Sequence, residues 1–446
     1  MKDYQYLDKK HIWHPCSQMM DYETYPATLI ERAEGVWLYK ENGERLLDAI
    51  SSWWVNLFGH GNTFIADRIK NQLELLDHVL FANYTHKPAI DLAAKLATLF
   101  DNQLDKVFYT DNGSSSVEAA LKMSFHYWHN VGKPQKIRFA NLKGAYHGET
   151  LGALSVGSMD AYKKIYSPLL TDSVEIEGPD CFRCAYGLDR LECDAECYQK
   201  TEQLLEKNHA TLCAVIVEPI MQCAAGMKMY SPRYLKKLRD QCTGLGIHLI
   251  CDEIAVGFGR TGTMMASYHA GIVPDIVTIS KTVTGGFLPL AAVLTGEEIF
   301  GAFYAPYEAM KAFMHSHTYS GNPLACAAGC AVFDLFEQTS VLESNCEKSS
   351  RIREGVLSLD GHPHVGEIRT MGMITALDLV KDKKTKEPFD WRQRIGYQIY
   401  RLAEKKGVLL RNLGDVIYFM PPYVIAEEEI DFMTGVAVKS IREVLG

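Results

Sequence analysis

The sequence predicts an α/β protein. A large domain carries a central, mostly parallel sheet covered by helices, and the N- and C-terminal segments form a smaller α+β domain. Three observations predict it. From about residue 61 to 325, strand-like and helix-like patterns alternate. Two apolar runs there, Ile247-His-Leu-Ile-Cys-Asp252 and Asp275-Ile-Val-Thr-Ile-Ser-Lys281, each end in a chemical group. Open sheets of this kind place their ligand sites at the carboxyl ends of the strands. Finally, 446 residues exceed what one core usually spans. The expected division is 1–60 for the N-terminal part of the small domain, 61–325 for the large domain and 326–446 for the C-terminal part of the small one.

Taken in order, residues 1 to 60 mix short strands such as Gly35-Val-Trp-Leu-Tyr39 with turns. Lys106-Val-Phe-Tyr-Thr110 reads as a strand and Ser115 to Asn130 as a helix, with Ser115 and Glu118 matching the S-x-x-E capping box. Leu212 to Val217 and Ile247 to Cys251 read as strands on either side of a helix over Pro232 to Cys242. Gly321-Asn-Pro-Leu forms a turn into a long apolar helix, Ala325 to Glu337. Beyond it, Arg401 to Lys406 reads as helical, and Val416 to Met420 as a strand ended by Pro421-Pro422.

Composition narrows the function. The chain is 47% hydrophobic and 23% charged, which is ordinary for a globular protein. A net charge of −9 without a basic stripe argues against nucleic-acid binding. No apolar run reaches the roughly 20 residues of a membrane helix, and Met1-Lys-Asp-Tyr-Gln-Tyr has no signal-peptide core. The expectation is a cytoplasmic protein. Of the 12 cysteines, Cys213, Cys251, Cys326 and Cys330 sit in apolar runs, as small buried hydrophobes do. Cys181-x2-Cys184 and Cys193-x3-Cys197 have spacings that can form a zinc site. They lie in a Gly-, Asp-, Arg- and Glu-containing stretch that reads as a long loop, so reduced thiols without a metal are expected. A zinc-binding interaction protein built on this stretch is the non-enzymatic alternative.

Lys281 and Asp252 carry the chemical argument. An amine and a carboxylate at adjacent strand ends suit pyridoxal 5′-phosphate, which needs a Schiff-base amine and an acid on its pyridine nitrogen. Asp111-Asn-Gly-Ser-Ser-Ser-Val-Glu118 follows a strand and opens a helix, where backbone N–H groups and the helix dipole attract anions. Gly113 and Ser114 are therefore candidate phosphate donors. Tyr146, in Tyr146-His-Gly148, offers a ring to stack on a flat cofactor. A competing signal is Gly257-Phe-Gly-Arg-Thr-Gly262, which matches the dinucleotide fingerprint of a nicotinamide dehydrogenase. The diagnostic acid is misplaced, because Asp275 begins the next strand instead of ending it.

These residues resemble the class III, fold type I pyridoxal-phosphate aminotransferases over nearly the whole chain. The carriers are Asp111 to Glu118, Tyr146-His-Gly148, Val217-Glu-Pro219, Asp252-Glu-Ile-Ala-Val-Gly-Phe-Gly-Arg-Thr-Gly262, Ser280-Lys281 and Gly321-Asn-Pro323. Within the class, His11-Ile-Trp-His-Pro15, Ser51-Ser-Trp-Trp54, Ala145 to Thr150, His315-Ser-His-Thr318 and Leu410-Arg411 resemble the branch that aminates 8-amino-7-oxononanoate in biotin biosynthesis. The resemblance implies that Lys281 binds the cofactor covalently and moves a proton, and that Asp252 keeps the pyridine nitrogen protonated. It implies Tyr146 against the ring and, in a homodimer, His317 and Thr318 reaching the partner's phosphate. Trp53 and Ser316 would line the substrate pocket, and Arg411 would hold the substrate carboxylate. Cys16, Trp54 and Glu218 would lie nearby. The amino donor would be S-adenosyl-L-methionine, with L-lysine or another ω-aminotransferase reaction as alternatives. The chain departs from the branch at Cys16, where an aromatic residue is usual. It also departs at Ser316 and His317, where Gly and Pro are frequent, and at Leu413, where Phe is usual.

Overall fold

The computed structural model describes residues 3–446. Its central sheet has seven strands in the order Lys106–Thr110, Ala291–Thr295, Ile276–Ile279, His248–Asp252, Leu212–Val217, Arg138–Leu142 and Ser173–Ile176. All neighbours are parallel except Ala291–Thr295, which runs antiparallel to both of its partners. Every residue of Leu212–Val217 is buried. A continuous apolar run suits a strand with helices on both faces.

Two smaller sheets flank the large one. Ile30–Glu34, Trp37–Lys40 and Arg45–Asp48 form a meander, and Val408–Leu409 adds to it in parallel beside Leu47 and Asp48. That pairing ties the N-terminal segment to the C-terminal one. The other sheet is antiparallel and contains Val365–Met371, Ile374–Leu379, Val416–Phe419 and Arg411–Leu413.

Several helix boundaries differ from expectation, each for a local reason. The phosphate-cradle helix spans Gly113–Asn130, because Asn112 caps it by accepting the Ser115 N–H at 3.1 Å. The Ser115–Glu118 capping box does not form. Glu118 instead accepts the N–H groups of Gly152 at 2.7 Å and Ala153 at 3.3 Å, at the start of the helix Leu151–Ser155. The apolar helix begins at Pro323, behind the cap Asn322. The helix expected at Arg401 begins at Ile395. Gly257–Gly262 opens no helix and forms turns, so the dinucleotide reading loses its phosphate site.

The stretch from Glu177 to Cys197 holds no strand or helix. Its four thiols line a cavity of about 160 Å³. Among the described residues, no group of three or more His, Cys, Asp or Glu is placed to hold a metal ion, and no helix is long and apolar enough to cross a membrane.

Candidate active site

Asp252 ends one strand and pairs in register with Thr278 of the next, so Lys281 follows at the same sheet edge. Both line a cleft of about 550 Å³ with Gly113, Ser114, Tyr146, Trp54 and Glu218. Asp252 is 4% exposed. Its Oδ2 accepts from His147 Nδ1 at 2.7 Å, and its Oδ1 accepts from the Ile254 N–H at 3.1 Å. His147 is itself buried, and its Nε2 has no partner among the described residues. Lys281 is half-buried, and its Nζ lies 5.3 Å from the centre of the Trp54 ring. Burial lowers the Lys281 pKa below the ordinary lysine value, against the opposing charge of Asp252.

Glu218 lies beneath Tyr146. Its Oε1 accepts from the Tyr146 N–H at 3.2 Å and its Oε2 from the Cys223 N–H at 2.9 Å. Burial pushes its carboxyl up to about 7, against the pull of His147. At the other end of the cleft, Asn112 takes the N–H groups of Ser115 and Ser116, which leaves those of Gly113 and Ser114 for an anion.

Both tryptophans sit on a strained turn. Ser51, Ser52, Trp53 and Trp54 all have positive φ, at 50°, 45°, 78° and 73°. Such strain persists only where the surroundings over-determine it. Here Asp48 accepts from the Ser52 N–H at 2.9 Å and the Ser52 hydroxyl at 2.7 Å. Ser51 donates to the Met420 carbonyl at 2.7 Å, and Trp54 Nε1 to the Tyr418 hydroxyl at 2.9 Å. Arg260, fully buried, donates to the carbonyls of Asn56 at 2.8 Å and Pro421 at 3.0 Å.

The turn directs its two rings into different spaces. Trp54 lines the cleft with Lys281, while Trp53 lines an adjoining cavity of about 1120 Å³ that shares Glu149 with the cleft. Glu149 accepts from the Tyr146 hydroxyl at 2.9 Å and from the Cys16 thiol at 3.8 Å. The Arg411 guanidinium lies 4.0 Å from the centre of the Trp53 ring. Three arginines line this cavity. Arg394 pairs with Asp21 and Arg401 with Glu404, whereas Arg411 has no ion pair among the described residues.

A sequence profile described as Aminotransferase class-III matches residues 19–441. The chain is a class III aminotransferase. It is 42% identical, over 98% of its own length and 97% of the relative's, to a protein of Geobacter sulfurreducens named adenosylmethionine-8-amino-7-oxononanoate aminotransferase. The crystal structure of the enzyme of that name from Methanocaldococcus jannaschii superposes with a TM-score of 0.93 at 35% identity, covering 99% and 98% of the two chains. An amine transaminase from an uncultivated Pseudomonas species, in its pyridoxal-phosphate-bound form, superposes with a TM-score of 0.92 at 32% identity, covering 98% and 99%.

Class III aminotransferases depend on pyridoxal phosphate, and the residues of the cleft fit that group. The free amides of Gly113 and Ser114 would hold the phosphate, Asp252 the ring nitrogen and Lys281 the aldehyde carbon, with Tyr146 against the ring. Gly148 closes this cradle, since a Cβ there would clash with Ser114 Oγ and its φ is +120°. Gly148→Ala is expected to weaken cofactor binding about tenfold or more, the cost of a misfitting backbone. Titration of the cofactor-free aminotransferase with pyridoxal phosphate measures it, and an unchanged Kd would refute the cradle.

The structure therefore gathers Lys281, Asp252, Tyr146, Gly113, Ser114, Trp54 and Glu218 in one cleft, and Cys16, Trp53 and Arg411 in the next cavity. Ser316, His317 and Thr318 line neither. His317 pairs instead with Asp111 at 2.8 Å. Sequence reasoning missed His147, Glu149 and Arg260. The first two lie inside the motif Tyr146-His-Gly-Glu, and Arg260 inside the glycine-rich turn that mimics a dinucleotide site.

Proposed function

We propose that this aminotransferase transfers the amino group of S-adenosyl-L-methionine to the ketone of 8-amino-7-oxononanoate, forming 7,8-diaminononanoate for biotin biosynthesis. The names of its relatives support the reading. The observation that carries it is Arg411, a guanidinium with no ion pair among the described residues, in a large cavity that adjoins the cleft of Lys281. A chain ending in a carboxylate can lie along Trp53 and be held there by a charge-assisted pair.

Bound pyridoxal phosphate supplies the electron sink that makes a substrate Cα–H acidic. Lys281 takes that proton and returns it, and its lowered pKa leaves more neutral amine than an ordinary lysine would. Asp252, anchored by His147, keeps a proton on the ring nitrogen. Both substrates use the same space in turn, and Trp53 and Trp54 give the apolar chain its walls. A sulfonium would also gain cation–π attraction from those rings.

The reading includes a homodimer in which Ser316, His317 and Thr318 serve the partner's cleft. The same loop carries Tyr304, Tyr307, Met310 and Met314, each at least 82% exposed, and large exposed apolar groups of this kind suit an interface.

The spectrum of the cofactor-loaded protein tests the donor. Loss of the visible band with adenosylmethionine alone supports the reading, while loss with L-lysine alone keeps the acceptor and changes the donor. No response to either overturns the assignment. Arg411→Leu is expected to raise KM for 8-amino-7-oxononanoate by about 10- to 100-fold, the worth of a hydrogen bond to a charged group, with a smaller change in kcat. An unchanged KM would place the carboxylate elsewhere.

A further inference from the structure

We infer that Tyr418 is a positioning residue for the transfer step: its phenol oxygen holds the Trp54 indole beside Lys281, and its place opposite Arg411 ties the carboxylate end of the acceptor site to the reacting amine. The tie to the acceptor rests on the function proposed above; the hold on Trp54 does not. Tyr418 lies on the strand Val416–Phe419 between Ile417 and Phe419, and all three are fully buried. A phenylalanine would fill the same space without bringing a polar atom into the core, so packing does not require the hydroxyl. A buried hydroxyl is costly unless it is hydrogen-bonded. Among the described residues it has one partner, the indole N–H of Trp54, from which it accepts at 2.9 Å.

The side chains around this bond form a closed circuit. Trp54 is 4% exposed, so its N–H depends on a protein acceptor. The Trp54 and Tyr418 rings meet edge to face, 6.1 Å apart at 71°. The Trp54 ring lies 5.3 Å from Lys281 Nζ and walls its cleft. Its neighbour Trp53 carries the Arg411 guanidinium 4.0 Å from the ring centre. Arg411 and Tyr418 are directly opposite each other on antiparallel strands, and side chains so placed share one face of the sheet, with Cβ atoms about 4.5–5.5 Å apart. Burial pushes the Tyr418 phenol up, while the Trp54 bond and the Arg411 charge pull it back, so it stays a neutral hydroxyl.

Two elements meet at this one bond. The hairpin of Arg411–Leu413 and Val416–Phe419 carries the grip for a carboxylate, and the turn Ser51–Trp54 carries the wall beside the amine. The main chain of the turn is held separately, through Asp48 on Ser52 and Ser51 on the Met420 carbonyl. What Tyr418 fixes is therefore the orientation of the Trp54 ring. Without that bond the indole is free to leave its rotamer. An acceptor gripped at Arg411 would still bind, but its ketone would lose registry with Lys281. A misplacement of about 1 Å can cost up to about 10²-fold in rate.

Tyr418→Phe tests the inference, because it keeps the ring and its packing. For 8-amino-7-oxononanoate, kcat should fall about tenfold, the worth of one hydrogen bond. KM should stay within about twofold, since Arg411 and Trp53 are unchanged. Trp54→Phe, which keeps a ring but has no N–H, should lose kcat at least as much, and the double variant no more than Trp54→Phe alone. A second readout needs no turnover. In the cofactor-free protein the indole N–H resonance of Trp54, assigned by its absence from Trp54→Phe, should exchange with solvent about tenfold faster in Tyr418→Phe. A lowered Tm with kcat intact, a rise in KM that matches the loss of kcat, additive losses in the double variant, or unchanged exchange would each overturn the inference. If 8-amino-7-oxononanoate is not an acceptor, the proposed function fails, and the indole resonance together with the donor half-reaction still decides whether Tyr418 orients Trp54.

Discussion

Replacing Lys281 with arginine is expected to lower kcat by about 10⁴-fold or more, because general acid–base catalysis and the covalent attachment are lost together. Arginine keeps a long, positively charged side chain, but its guanidinium does not deprotonate in proteins. It can neither attack an aldehyde carbon nor take a proton from a substrate Cα. The fold should survive the change. Lys281 has a φ of +47°, and arginine carries no more backbone strain there than lysine does. The charge also stays over the Trp54 ring. Phosphate binding depends on Gly113 and Ser114, so the variant should still take up pyridoxal phosphate, but release it on dialysis or denaturation. The measurement combines kcat, cofactor content after dialysis and a thermal melt. Turnover within tenfold of wild type at normal Tm would show that another group moves the proton.

Much of the fold is readable because its strands are bare apolar runs bounded by turns. Lys106–Thr110 and Leu212–Val217 have the bounds their sequences suggest, since each run stops where alternation or polarity stops. Helix starts are less readable. Ser115 and Glu118 satisfy a local capping rule, yet Asn112 competes for the same amides and Glu118 finds better-placed donors 34 positions on, at Gly152. Lys281 and Asp252 are readable because each follows its own strand, and the register between those strands is all that their meeting requires.

Arg260 is the opposite case. Its glycine-rich surroundings advertise a phosphate loop, but the guanidinium holds carbonyls of residues 204 and 161 positions away. Nothing local announces that. The left-handed turn at Ser51–Trp54 is equally silent, for it has no glycine to mark its positive φ angles. Its geometry is imposed by Asp48 just upstream and by Tyr418 and Arg260 from far along the chain.

Asp252→Asn should be the second-largest loss, about 10³-fold in kcat, on the scale of removing one preorganised electrostatic group from a dry site. The substitution is nearly isosteric, and the amide oxygen can still accept from His147 Nδ1, now at 2.7 Å from the carboxylate. Packing is preserved, but the amide nitrogen then faces the Ile254 N–H, so that one contact is lost and a modest fall in Tm is expected. What disappears is the negative charge that keeps a proton on the cofactor's ring nitrogen, and with it the ring's capacity to accept electrons from the substrate Cα. The loss should fall on kcat, because substrate contacts in the second cavity are untouched. A second readout distinguishes charge from shape. Asp252 is one of the groups that raise the Glu218 carboxyl, so removing its charge should move the Glu218 pKa down from about 7. A variant that keeps kcat within tenfold would mean that the carboxylate serves only to position His147. In that case His147→Asn, which removes that partner and leaves the carboxylate, should cost more than Asp252→Asn; the electrostatic account requires the reverse order.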